Sequence, residues 1–341
     1  MTRSSFTIGL LAPPWVPVPP PCYGGTELVI DQLARGLVAA GHHVVLYAAP
    51  ASTAPVPTVL AAPADGEIGT GTLELPHVMS GYEALADCDI VHDHTLLGPA
   101  WALALGYQRV VTTCHCPLDG GLREVYRRYS KRVPLVAVSH DQTARAPEIA
   151  VDKIIHYGLD PARYPLGRGD GGFLLFLGRM TPDNGVREAV LAARGAGERL
   201  AIAAKMRERT EREYFARQVE PLLGDDVWFV GEATGRQKLE LLGAAKALLN
   251  PIRWPEPFGL VMTEALASGT PVITCRNGSA PEIVDHGVTG FFCHDHDDLV
   301  RAVRLIDRLD RGACRTSVVS RFSAERMIDE HLGLYQDVFK R

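Results

Sequence analysis

Two glutamates, Glu256 and Glu264, are separated by seven residues in the segment Trp254-Pro-Glu-Pro-Phe-Gly-Leu-Val-Met-Thr-Glu264, which continues into Ala265-Leu-Ala-Ser-Gly-Thr-Pro-Val-Ile273. Carboxylates bind sugar hydroxyls. Pro257 and Gly259 permit a tight entry into a helix starting near Phe258 or Gly259, and Gly269 ends it before a new strand. The unpaired amides of Phe258, Gly259 and Leu260, at the positive end of the helix dipole, suit an anionic or hydroxyl-rich ligand. Gly24-Gly25, heading another helix, allows a backbone to approach a phosphate, or is a simple turn pair. His115 ends a strand, where a satisfied core histidine is the plainer reading. Cys114-His-Cys116 and His92-Asp-His94 are metal-ligating types, but neither has a ligand set at zinc-motif spacing, so no metal is expected.

Those residues need elements to hold them. Phe6 to Ala12 reads as a buried strand, Gly25 to Ala40 as a helix with Ile30, Leu33 and Leu37 on one face, and Val44 to Ala48 as the next strand, which is a parallel βαβ unit. Further strands are expected at Ile90–His92, Arg109–His115, Leu135–Ser139 and Lys153–His156. Asp160 to Gly172 is rich in glycine, proline and charge and marks a linker. Beyond it the rhythm resumes: strand Phe173–Leu177, helix Gly185–Arg194 ended by Gly195, strand Leu200–Ala204, then strands at Val227–Val230, Ala247–Asn250 and Pro271–Thr274. Ser323 is placed to cap a final helix carrying Met327, Ile328, Leu332 and Tyr335. Open α/β sheets bind ligands beyond the C-terminal ends of their strands, so function belongs in those loops.

Bulk properties exclude several classes. A length of 341 residues favours two domains, and 46% hydrophobic with 22% charged residues is ordinary for a packed globular chain. A net charge of -5 with interspersed basic residues argues against nucleic acid. Seven scattered cysteines argue for a reducing compartment, and with no export signature or spanning run the expectation is a cytoplasmic protein whose membrane contact is at most peripheral. The basic stretch Gly121 to Arg132 is a helix candidate whose charged face is solvated by default and attracts an anionic acceptor or membrane surface in the sharper reading. GxGxxG is absent after either opening strand, as is GxxxxGK[ST], against dinucleotide enzymes and P-loop phosphotransferases.

The segment from Glu256 to Ile273 resembles the EX7E motif of GT-B retaining glycosyltransferases of family 4, with Glu256 and Glu264 as its glutamates. The resemblance extends to Tyr23-Gly-Gly-Thr-Glu27, Ile90-Val-His-Asp-His94, Thr113-Cys-His115, Val138-Ser-His140 and Leu177-Gly-Arg179. It implies an α/β fold of two facing Rossmann-like doubly wound parallel-sheet domains, residues 1–160 and 161–320, with an active site in the cleft between them and a C-terminal helix, 321–341, returning to the first. It implies transfer of a sugar from a nucleotide diphosphate sugar, UDP favoured, to an acceptor hydroxyl with retention. No cofactor or metal is implied, since cationic side chains and helix ends stabilise the leaving diphosphate.

By the same resemblance Glu256 contacts donor-sugar hydroxyls near the reacting carbon and Glu264 the ribose. The amides of Phe258, Gly259 and Leu260 approach the sugar or diphosphate, Gly24 and Gly25 face the diphosphate, and His115 lies close to the reacting sugar. Arg179 is the leading cation. In Thr181-Pro-Asp-Asn-Gly185 this chain has Asn184 where the family places a diphosphate-binding lysine, so Lys205, after the second strand of the same domain, is expected to supply the missing charge. Two other readings are a nucleotide-sugar epimerase of the same architecture and a catalytically silent nucleotide-sugar-binding partner.

Overall fold

The computed structural model describes residues 5–64, 66 and 69–340. The chain divides into two compact units, one comprising everything up to Gly158 together with the segment from Ala324 onward, the other Leu159–Ser323.

The first unit is built on a seven-stranded sheet of β1 (Thr7–Leu11), β2 (His43–Ala48), β3 (Thr58–Leu60), β4 (Ile90–Asp93), β5 (Val110–Thr113), β6 (Leu135–Ala137) and β7 (Lys153–Ile154). Its order is β3-β2-β1-β4-β5-β6-β7, every pairing being parallel. Central strands bury nearly every side chain: β1 is an apolar run, whereas β4 also buries His92 and Asp93, and β5 buries Thr112 and Thr113. The helix Gly25–Ala39 follows β1 and turns Ile30, Leu33 and Leu37 inward. The final helix, Ala324–Lys340, packs on it, with Ile328 seated so closely that a Cβ on Gly36 would fall 1.7 Å from Ile328 Cδ1.

The second unit carries a six-stranded sheet: β8 (Leu174–Arg179), β9 (Leu200–Lys205), β10 (Val227–Gly231), β11 (Leu248–Asn250), β12 (Val272–Cys275) and β13 (Gly290–Cys293). The order is β10-β9-β8-β11-β12-β13, again all parallel. Both units are thus Rossmann-like. In each, chain direction across the sheet reverses once, between β1 and β4 in the first and between β8 and β11 in the second, and such switch points are where ligands bind in open α/β sheets.

Three local expectations are corrected. β3 and β13, both at sheet edges, went unmarked in the sequence, β3 because it is short and leaves Val59 and Leu60 exposed. The helix after β8 runs Val186–Ala196 and is closed by Gly197 in the left-handed region (φ 76°), not by Gly195. Gly195 is instead a packing site, where a Cβ would meet Val300 Cγ2 at 2.8 Å.

Candidate active site

In the second unit the switch point brings together loops widely separated in sequence. Arg179 ends β8, and after β11 the chain passes through 251–259 into the helix Leu260–Ala267. The turn after β8 is fastened to that loop by Arg253 N–H donating to Asp183 O (2.8 Å) and by an ion pair of Arg253 with Glu188 (2.9 Å). The Arg179 guanidinium lies 5.5 Å from the Trp254 ring centroid, within cation–π range.

Glu256 is partly buried beside this pair. Burial pushes its carboxyl up to about 7, against the downward pull of Arg179. Its backbone is pinned by Ser279 N–H donating to Glu256 O (3.1 Å), and Gly278 is packed against it so tightly that a Cβ there would come within 2.5 Å of Glu256 N. Gly259 takes φ 80° at the head of the helix, and a Cβ on it would lie 3.5 Å from Glu256 Oε2, so the carboxylate stands over the start of the helix. No side chain caps this end, which leaves first-turn amides without an intrahelical acceptor. Phe258 is buried against Phe322, and its carbonyl accepts from Ser279 Oγ (2.5 Å). Leu260 opens the helix. About one turn on, buried Glu264 accepts from Lys238 Nζ (2.5 Å) and the Tyr164 hydroxyl (2.9 Å), both at Oε1.

The first unit holds Gly24, Gly25 and His115. Gly24 precedes the helix Gly25–Ala39, and a Cβ there would strike Pro20 at 2.6 Å, so glycine is required by the close approach of the proline-rich loop. His115 belongs to a buried cluster of imidazoles. Its Nε2 meets His94 Nδ1 at 2.9 Å, and its Nδ1 meets the Tyr157 hydroxyl at 2.5 Å. His92 joins Tyr335 (2.7 Å) and Thr113 (2.8 Å), and His331 Nδ1 donates to Met327 O (2.7 Å). Burial holds all four rings neutral: His115 falls to about 3, His331 to about 4, and His92 and His94 lie well below the ordinary histidine range. Both nitrogens of His115 and of His92 are therefore committed to neighbours, and Cys114 Sγ donates to Cys116 O (3.1 Å).

Residues 23–163 match the family model described as Glycosyltransferase Family 4, and residues 165–311 match that of Glycosyl transferases group 1. A glycogen synthase of Mycobacterium tuberculosis is 30% identical over 351 residues, covering 84% of this chain and 83% of that protein. The chain belongs to glycosyltransferase family 4. Among solved structures it is similar to AviGT4, a glycosyltransferase involved in avilamycin A biosynthesis, at 27% identity and TM-score 0.77 over 98% of each chain. It shares its fold with Anabaena HepE, solved with UDP and glucose, at 18% identity and TM-score 0.78 over 97% of this chain and 100% of that one.

This family 4 glycosyltransferase departs from the sequence expectation at Lys205. The residue does end β9 level with Arg179, with which it is in register. It is buried, however, and its ammonium is ion-paired with Glu208 and with Glu211 (3.1 Å). Those carboxylates form the capping box of the short helix Arg209–Tyr214, so the lysine charge is already matched inside the unit. Asn184 does not reach outward either: its Nδ2 donates to Thr181 Oγ1 (2.8 Å) and its Oδ1 accepts from Arg179 N–H (3.4 Å), which braces the turn behind the arginine. Lys238 and Tyr164 were missed, because each reaches Glu264 from a distant part of the chain; the only signal was a lysine in an otherwise ordinary helix, Gly235–Ala244. In the first unit the basic segment forms the helix Gly120–Tyr129, where Arg123 pairs with Glu148 (2.5 Å) and Arg127 and Arg128 with Glu124 (2.8 Å each), a largely self-neutralised face. Among the described residues no helix is long and apolar enough to cross a membrane.

Proposed function

We propose that this enzyme transfers a glycosyl group from a nucleotide diphosphate sugar, with UDP the favoured nucleotide, to an acceptor hydroxyl, retaining the anomeric configuration and using no metal or resident cofactor. The observation that carries the proposal is the arrangement at the β8/β11 switch point, where a carboxylate, an uncapped helix start and a guanidinium converge. The bond from anomeric carbon to phosphate oxygen breaks as the bond to the acceptor oxygen forms, and the acceptor proton passes to the departing phosphate. Arg179 and the amides at Phe258, Gly259 and Leu260 meet the charge growing on that diphosphate, in the manner of preorganised electrostatic stabilisation. Glu256 holds donor-sugar hydroxyls near the reacting carbon, and Glu264 holds the ribose. UDP is supported by HepE, solved with UDP and glucose and with UDP-glucose. A thermal-shift panel of nucleotide diphosphate sugars, followed by mass-spectrometric acceptor screening with the best donor, tests the reading. Stabilisation by UDP-sugars and a product heavier than the acceptor by one sugar is expected, and no response to any nucleotide sugar would refute it.

A further inference from the structure

Glu264 has two carboxylate oxygens, and the protein uses them unequally. Lys238 Nζ and the Tyr164 hydroxyl both donate to Oε1, at 2.5 and 2.9 Å, and among the described residues no donor reaches Oε2. The carboxylate is 4% exposed and the lysine 21% exposed, so this pair is held largely out of water and its geometry is not averaged by solvent. Tyr164 is itself fixed: Arg315 donates to its carbonyl (2.5 Å), to Ala267 O (2.7 Å) and to Pro161 O (2.8 Å), tying the segment that carries the phenol to the end of the helix that carries the glutamate. Lys238 sits on the helix Gly235–Ala244, which packs against the helix Leu260–Ala267. The glutamate is thereby anchored from two separate elements through the same oxygen.

We infer that Lys238 and Tyr164 are positioning residues that fix the rotation of the Glu264 carboxylate, so that Oε2 is presented as an acceptor for the ribose hydroxyls of the donor and the enzyme selects ribonucleotides over deoxyribonucleotides. This inference rests on the ribose-binding role proposed for Glu264. A freely rotating carboxylate offers the same atoms, but it must lose that freedom on binding, and its unanchored oxygen competes with water for the same hydroxyls. Lys238 also supplies a local positive charge, which keeps an anionic acceptor at this buried position compatible with the fold. It touches no substrate atom in this scheme.

The test is calorimetric. UDP, GDP and ADP are titrated into the full-length enzyme, and the tightest binder is compared with its 2′-deoxy and 3′-deoxy forms in wild type, Lys238→Met, Lys238→Arg, Tyr164→Phe and Glu264→Gln, with the melting temperature of each recorded. A charge-assisted hydrogen bond corresponds to about tenfold in affinity. Wild type is expected to prefer the ribose form by at least about that factor, and Lys238→Met to lose most of the preference by weakening the ribose form while leaving the deoxy forms within about twofold. Lys238→Arg should restore part of it, and Tyr164→Phe, which removes one oxygen, should lose a smaller share and serves if Lys238→Met does not fold. A preference unchanged in both Lys238→Met and Tyr164→Phe would overturn the inference while leaving Glu264 as the ribose ligand. Equal weakening of ribose and deoxy forms in Lys238→Met would overturn it too, since the lysine would then be acting as a charge on the diphosphate. Absence of any preference in wild type, or its persistence in Glu264→Gln, would remove the ribose role itself, and no binding of any of the three diphosphates would remove the donor reading altogether.

Discussion

A carboxyl group with its pKa moved to about 7 is ionised only in part at neutral pH, and Glu256 therefore carries opposing demands. In the role proposed for it, the ionised form accepts hydrogen bonds from sugar hydroxyls, so turnover should fall as pH drops through about 7. Its raised pKa means the folded protein binds more protons here than the unfolded chain between about 4.5 and about 7, so this group costs stability as pH rises across that window. Glu256→Gln should thus lower kcat by about 100-fold while raising unfolding stability at pH 8 by about 1 kcal/mol, the gain vanishing near pH 5. Urea melts at the two pH values, set beside initial rates, check both halves, and a variant less stable at pH 8 would contradict the assignment of a strained charge. The turn into the helix that carries Glu264, and that helix's end, were legible because Pro257, Gly259 and Gly269 are local signals, and the spacing of the two glutamates needs no tertiary information. Lys238 was not legible, because an ion pair between separate helices leaves no local trace. Lys205 was readable in part: Glu208 and Glu211 follow it at three and six positions, the spacing of a capping box that draws an adjacent cation inward.

At the scale of elements, the central strands and the edge strands β7 and β10 were recovered, whereas the edge strands β3 and β13 were lost, β3 being only three residues long with two of them exposed. The docking of the last helix turns on a residue with no side chain. Gly36 leaves the space that Ile328 fills, and a helix-interior glycine is otherwise unfavourable by about 1 kcal/mol, so packing must more than offset that loss. Gly36→Val should cost about 2 kcal/mol of stability by displacing Ile328, and the same change in an Ile328→Ala background should cost at least about 1 kcal/mol less. A double-mutant cycle in urea measures this coupling, and additive effects would mean that the two residues do not share the site.

For the whole molecule, the four buried histidines His92, His94, His115 and His331 set a common acid limit. Each binds a proton in the unfolded chain below about 6.5 but resists it in the folded protein, so their contribution is complete above that pH and is lost as pH falls toward about 4 for His331 and about 3 for His115. Asp93, whose buried carboxyl is raised to about 7, acts in the opposite sense from about 4 up to about 7. Because one withheld proton is worth about 1.4 kcal/mol per pH unit, His331→Gln should flatten the slope of stability against pH near 5 by about that amount, read from urea melts at half-unit intervals. An unchanged slope would show that His331 is protonated in the folded state.

The first unit is assembled from both ends of the chain, whereas the second is one continuous stretch. During synthesis, residues up to Gly158 emerge long before the helix Ala324–Lys340 that supplies Tyr335 to His92 and Ile328 to the space at Gly36. The second half of the protein can mature as soon as it leaves the ribosome, while the first waits with that face uncovered. Proteolytic clipping or premature termination just before Ala324 would leave every residue of the second unit in place but take from the first both Tyr335 at His92 and Ile328 at Gly36.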